Sequence, residues 1–221
     1  IYYLSRTQPP VFTRMLRDAL GSEPAPARLE QGLRLALRYH AVWVGTPRHD
    51  PETGLARYRD DGQGPAPEVL ADEIDAQGRD HYDRVAMRLA AERDAGRDVS
   101  RFLDDGGRLT ALAYLGDRSM RESGFDASDR FGPLSLDIVR FAPVCLNTLL
   151  VVYERDLAWM MARLGDAGGA ARFRAAAEAR AAALVARTWD EPSGLFLDWH
   201  LEEETRRDYP FLTTFWPLWA G

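Results

Sequence analysis

The stretch APVCLNTLLVVYERDLAWMMARLG, residues 142–165, is apolar almost all round at its start, carries charge at Glu154, Arg155 and Asp156, and reaches glycine at Gly165. A helix without a polar face is packed on more than one side, and a glycine just past the last turn ends it. The next segment, AARFRAAAEARAAALVARTW (170–189), is alanine-rich with arginines on its outer face, as a peripheral helix would be. Together they predict a buried helix with a covering helix beside it.

Working outward, the chain repeats this helical habit. QPPVFTRMLRDAL predicts a helix over 9–20, with Phe12, Met15, Leu16 and Leu20 on one face and prolines at its start. APARLEQGLRLALRYHAVWV predicts a second over 25–44, with Pro26 in the first turn and Leu29, Leu33, Ala36, Leu37, His40 and Val44 on its apolar face. The short connection between them suggests an antiparallel pair. Helical character returns in PEVLADEIDAQ (67–77), HYDRVAMRLAAERDA (81–95) and RLTALAYLGDRSM (108–120). Residues 45–66 are rich in Gly, Pro and Asp and read as one long loop, a kind of segment that is usually functional inside a compact domain. A hairpin is expected near 195–208, where Leu195, Leu197 and Trp199 alternate before a polar turn. Trp216 and Trp219 read as core packing. About six helices in sequential pairs with almost no strand give an all-α architecture in layers, as in a toroid of helical hairpins, with no internal domain boundary across 1–221.

The composition excludes several functions. Of 221 residues 46% are hydrophobic, enough for a substantial core; the net charge is −6, and every basic residue is arginine, interleaved with acids rather than gathered on one face. That argues against a nucleic-acid partner. His40, His49, His81, His200 and the single Cys145 show no metal-ligand spacing, and Cys145 sits in an apolar run where a lone thiol packs as a small hydrophobe. No apolar run is long enough to cross a bilayer. Neither metal nor cofactor is expected, and the sequence assigns neither compartment nor oligomeric state. The opening at Ile1 and the aromatic ending TTFWPLWAG read as those of a fragment.

One charged stretch stands out for chemistry. RESGFDASDRFGP (121–133) surrounds Gly124 with Arg121, Glu122, Asp126, Asp129 and Arg130. Hydrolysis of a glycosidic bond needs one carboxyl group kept protonated to serve the leaving oxygen and a second carboxylate as base or nucleophile. Asp126 suits the first role, with Phe125 and Phe131 as apolar walls that raise its pKa and Gly124 allowing close approach of a ligand. The same spacing also fits a helix cap at Asp126 with Asp129 three residues on, and local pairing of Glu122 with Arg121 or Arg130. Arg6 fits a salt bridge at the head of the first helix, and Glu68 a first-turn helix acid.

YYLSRTQPPVF (2–12), RESGFDASDRF (121–131), APVCLNTLL (142–150) and FWPLWAG (215–221) resemble, in that order, signature blocks of the α,α-trehalases of glycoside hydrolase family 37. The resemblance spans the chain and implies an (α/α)6 toroid, of which these residues would carry about half as a partial catalytic domain. It implies Asp126 as general acid, Arg6, Gln8 and Glu68 as substrate contacts, and Gly124 against the sugar, in an inverting hydrolysis of trehalose to two glucose molecules. The family's base, a glutamate, is expected downstream of residue 221, so the isolated chain is predicted to be inactive and to expose apolar helix faces. Departures from the family pattern are Ala66 where arginine is common, Phe125 for tryptophan, Ala127 and Asp129 at the rim, and Cys145 for an aspartate. Ala66 leaves open a related α-glucoside hydrolase, and a noncatalytic sugar-binding relative is the reading from another class.

Overall fold

A computed structural model describes residues 5–70, 74–125 and 128–221. They group into two compact units: residues up to Gln8 with Tyr58–Phe141, and Pro9–Arg57 with Ala142–Gly221.

The second unit is organised by the stretch quoted first. Its helices are α1 (Phe12–Leu20), α2 (Pro26–Val44), α6 (Val144–Arg163), α7 (Ala167–Thr188) and α8 (Trp216–Ala220). Sixteen residues of α6 are buried, from Val144 to Met161, which is what its missing polar face requires. Tyr153, Leu157, Ala158 and Met161 pack with Ala36, Ala170 and Phe173 from the flanking α2 and α7. Pro26 opens α2 where its missing N–H costs nothing, and Asp166 caps α7 by accepting the Gly169 N–H at 2.8 Å.

Two of the charges of α6, Glu154 and Asp156, are buried and paired with arginines. Glu154 is buried and accepts Arg180 Nη2 at 2.9 Å and both its oxygens meet Arg180 Nε at 3.1 Å, while His40 Nε2 lies 3.0 Å away. Arg180 also donates to the Gly54 carbonyl, and Asn147 clamps Ala56 through both its N–H and its carbonyl. The 46–57 loop is thereby tied to α6 and α7 by groups that only mutual pairing allows in an apolar interior. Burial pushes Glu154 up, but the His40 and Arg180 hydrogen bonds and charges outweigh it and leave its carboxyl below the ordinary range.

Two short hairpins follow α7: Trp189–Asp190 pairs with Leu195–Phe196, and Trp199–His200 with Thr205–Arg206, both antiparallel. The second is the one expected near 195–208; the first pairs the residues just after α7 with the start of that same stretch. Trp219 is not core: it is 57% exposed on the five-residue α8, with the Arg14 guanidinium 5.9 Å from its ring.

The first unit holds α3 (Pro67–Leu70), α4 (His81–Asp94) and α5 (Ala111–Ser123). Asp80 and Asp83 form a reciprocal capping box at α4, and Thr110 caps α5 through the Ala113 N–H. Val85, Leu89, Val99, Phe102, Leu103, Ala113 and Leu136 make its core. The helix expected over 67–77 is corrected at its end: Asp75 takes the N–H groups of Gln77 and Arg79 on its side chain and forms a turn. A short polar side chain here satisfies the backbone locally, in competition with the helix. Among the described residues no helix is long and apolar enough to cross a membrane.

Candidate active site

Within the first unit Arg6 meets Glu68, and the neighbouring Thr7 is bonded to the last turn of α5. Arg6, in the stretch before α1, forms an ion pair with Glu68 in the first turn of α3, and the two side chains are 7% and 16% exposed. The salt bridge read at Arg6 is therefore real, but it joins segments 62 residues apart rather than closing a helix head. Glu68 is at once a first-turn acid and the partner of Arg6.

Glu122 fixes this arrangement. Fully buried in the last turn of α5, it accepts the Thr7 N–H at 2.9 Å, the Thr7 hydroxyl, and the Arg59 N–H at 2.6 Å. A carboxylate out of water is tolerable where N–H and O–H donors surround it, and these bonds are among the stronger ones available. The residue next to Arg6 is thus locked to the helix that leads to Gly124.

Gly124 ends α5 with φ 73°, a left-handed conformation that suits glycine, and a Cβ there would meet open space. Phe125 donates its N–H to the Ser123 hydroxyl at 3.1 Å. Asp126 and Ala127 lie outside the described residues. Beyond them Asp129 is exposed, accepts the Leu134 N–H at 2.9 Å and meets Arg88 at 3.4 Å. Phe131 is buried against Phe141, with the buried Arg130 guanidinium 4.8 Å from its ring. Phe125 is half-buried, 5.5 Å from the same guanidinium. Gln8 is exposed.

Two polar groupings were not anticipated. Arg118 donates to Asp60 at 3.0 Å, to the Pro65 carbonyl at 3.1 Å and to the Ser5 hydroxyl at 2.6 Å, so one buried guanidinium gathers the 5–8, 60–62 and 65–68 segments. Its Nη2 would stand 1.8 Å from a Cβ at Gly62, which is why that position has none. One residue earlier, buried Asp117 binds His81 Nε2 at 3.0 Å, the Tyr82 hydroxyl at 3.0 Å and Arg121 through both of its oxygens. Tyr82 in turn accepts the Ala66 N–H at 2.6 Å. Burial pushes Asp117 up, yet the His81 and Arg121 hydrogen bonds and the Arg121 charge prevail and hold it below the ordinary range. Burial, then the Asp117 charge, pushes the Tyr82 hydroxyl up, so it stays protonated and donates. The signal for these groups was present: Asp117, Arg118, Arg121 and Glu122 put charge on neighbouring faces of one short helix, and the i,i+4 spacing of Asp117 and Arg121 is a pairing distance.

The whole chain, residues 1–221, matches the family model for trehalase. It is 32% identical over 241 residues to the cytosolic neutral trehalase of Saccharomyces cerevisiae, covering 100% of this chain and 31% of the relative. It is 31% identical to the probable trehalase of Eremothecium gossypii, over 100% of this chain and 31% of that one. The chain thus spans about a third of the length of these curated relatives. Among solved structures, neutral trehalase Nth1 from S. cerevisiae aligns with a TM-score of 0.76 at 31% identity, over 100% of this chain and 42% of the other. A GH63 mannosylglycerate hydrolase from Thermus thermophilus aligns at 0.56 and 21% identity, over 98% of this chain and 51% of the other, a likeness of fold alone. These likenesses bear out the expected all-α class, that of an α/α toroid with a small hairpin. By sequence along its entire length, and by structure, the chain belongs to the trehalase family.

Proposed function

We propose that the protein containing this chain hydrolyses α,α-trehalose to two glucose molecules with inversion, and that these residues supply its proton donor and part of its sugar grip. The observation that carries this reading is the Arg6–Glu68 ion pair, held beside the end of α5 by the Thr7–Glu122 bonds. Two residues expected to grip one sugar come together from distant segments, next to the helix that leads into the expected acid.

In this mechanism Asp126 protonates the oxygen joining the two glucose units as the bond breaks. A second carboxylate takes a proton from water on the opposite face of the ring, the two carboxyl groups standing about 6.5–9.5 Å apart to admit that water. For the second group the resemblance implies a glutamate downstream of residue 221. Arg6, Gln8 and Glu68 hold sugar hydroxyls, charged groups making shorter and stronger hydrogen bonds than neutral ones. Gly124, with open space where a Cβ would be, admits the sugar to the backbone. The reaction proceeds without metal or cofactor.

A second reading, another α-glucoside as substrate, is favoured by one observation: Ala66 is buried with Val69 and Tyr82 and brings no donor to the sugar. Glucose release by the purified full-length protein from trehalose, maltose and glucosylglycerate separates the readings. Trehalose is expected to lead in kcat/KM by at least tenfold. A lead for another glucoside supports the second reading, and calorimetric binding of trehalose without turnover supports a noncatalytic sugar-binding protein.

A further inference from the structure

Two consecutive residues a short way beyond the expected acid hold a backbone that side chains usually avoid. Leu134 and Ser135 have φ of 55° and 53°, close to Gly132 at 77°. A left-handed residue that carries a Cβ is strained, a bulky one most of all, and such strain persists only where the surroundings over-determine it. Glycine would take either position at less cost, as it does at 132. The residues present contribute what glycine lacks. Leu134 packs against the cluster of Val85, Leu89 and Leu136, and Ser135 is buried with its hydroxyl fully engaged.

That hydroxyl donates to the Ser128 carbonyl at 2.8 Å, accepts the Phe131 N–H at 3.3 Å and meets the Ser128 hydroxyl at 3.1 Å. Asp129 accepts the Leu134 N–H at 2.9 Å. All of these bonds join the strained turn to residues 128–131. The turn in its own right is seated on α5: a Cβ at Gly116 would stand 2.0 Å from the Leu136 carbonyl oxygen, so glycine alone lets the two backbones meet there. On the other side of Asp126, the Phe125 N–H is held by the Ser123 hydroxyl in the last turn of α5. One helix therefore anchors both flanks of the expected proton donor, through its own end before it and through the Ser135 turn after it.

Resting on the trehalase reading above, we propose that Ser135 is a positioning residue for the proton transfer: its hydroxyl holds Ser128 and Phe131, and with them the stretch that carries Asp126, in place against α5. Proton delivery depends on such placement, and an error of about 1 Å can slow a reaction about 100-fold.

In the full-length protein, Ser135→Ala removes the hydroxyl and keeps the backbone strain, whereas Ser135→Gly removes both. Each is expected to lower kcat for trehalose about 10- to 100-fold, while α-glucosyl fluoride, whose leaving group needs no proton, is turned over within about threefold of the parent. Ser135→Gly is expected to unfold at a higher urea concentration than Ser135→Ala and yet to be no faster on trehalose. A serine with a merely structural role gives equal losses on the two substrates, or turnover that recovers along with the stability of Ser135→Gly. Either pattern overturns the inference, as does trehalose turnover within about threefold of the parent in both variants. Should the parent not hydrolyse trehalose, the trehalase reading fails by itself, and the same comparison made with maltose or glucosylglycerate decides the inference; a parent inactive on all three glucosides ends it as well.

Discussion

The carboxylate of Glu122 accepts the backbone N–H of Thr7 at 2.9 Å, across 115 residues of sequence. Because Arg6 precedes Thr7 and Gly124 follows Glu122 by two, this bond sets where the sugar-gripping arginine stands relative to the end of α5. Glu122→Ala strands the Thr7 and Arg59 N–H groups, at about 1–3 kcal/mol for each buried donor left unpaired. Denaturant unfolding is expected to show that loss, and trehalose turnover of the full-length protein to fall with it. Glu122→Gln, which keeps one acceptor, is expected to lose less on both counts.

Gly62 and Arg118 give a second test. Gly62→Ala places a methyl group where Arg118 Nη2 stands, and that guanidinium can leave only by giving up Asp60, Pro65 and Ser5. A cost of about 1–3 kcal/mol is expected, as for other overpacked interiors. An unchanged midpoint in urea would show that the guanidinium is not held there.

Much of the fold could be read from the residues alone. Pro26 and the spacing of Leu29, Ala36 and His40 give α2 its bounds, and the apolar girth of residues 144–152 marks α6 as the buried helix. The buried charges were not legible in the same way. Glu154 pairs with an arginine 26 residues on and a histidine 114 residues back, and Asp117 with a histidine 36 residues back. Local periodicity carries no information about partners at that range. For the candidate site, family blocks point to Arg6 and Glu68, whereas the spacing of Glu122 suggests only a local pairing, because its bonds to Thr7 and Arg59 have no sequence signature.

Glu154 and Arg180 yield a stability and pH prediction. Glu154→Gln leaves Arg180 buried without its carboxylate and is expected to cost about 3–5 kcal/mol. The folded-state carboxyl lies below its ordinary 4.5, so its contribution is complete above that pH and is lost as pH falls through the lower folded value. Asp117 acts in the same sense. Acid unfolding of the parent should therefore steepen below about pH 4.5, and the slope should flatten in Glu154→Gln.

Leu212, Phe215, Leu218 and Trp219 are 78%, 57%, 73% and 57% exposed. A cluster of large apolar side chains of this kind favours association. These 221 residues produced alone are expected to self-associate and to bind a hydrophobic dye, and Phe215→Ser with Leu218→Ser to reduce both. A monodisperse monomer in analytical ultracentrifugation would argue otherwise.

The central claim is that Asp126 delivers the proton. In the full-length protein, Asp126→Asn should lower kcat for trehalose by about 10²–10⁴-fold, as removal of a general acid does, while α-glucosyl fluoride, whose leaving group needs no proton, is turned over nearly as before. Undiminished trehalose hydrolysis by Asp126→Asn, or equal losses on both substrates, would contradict the account.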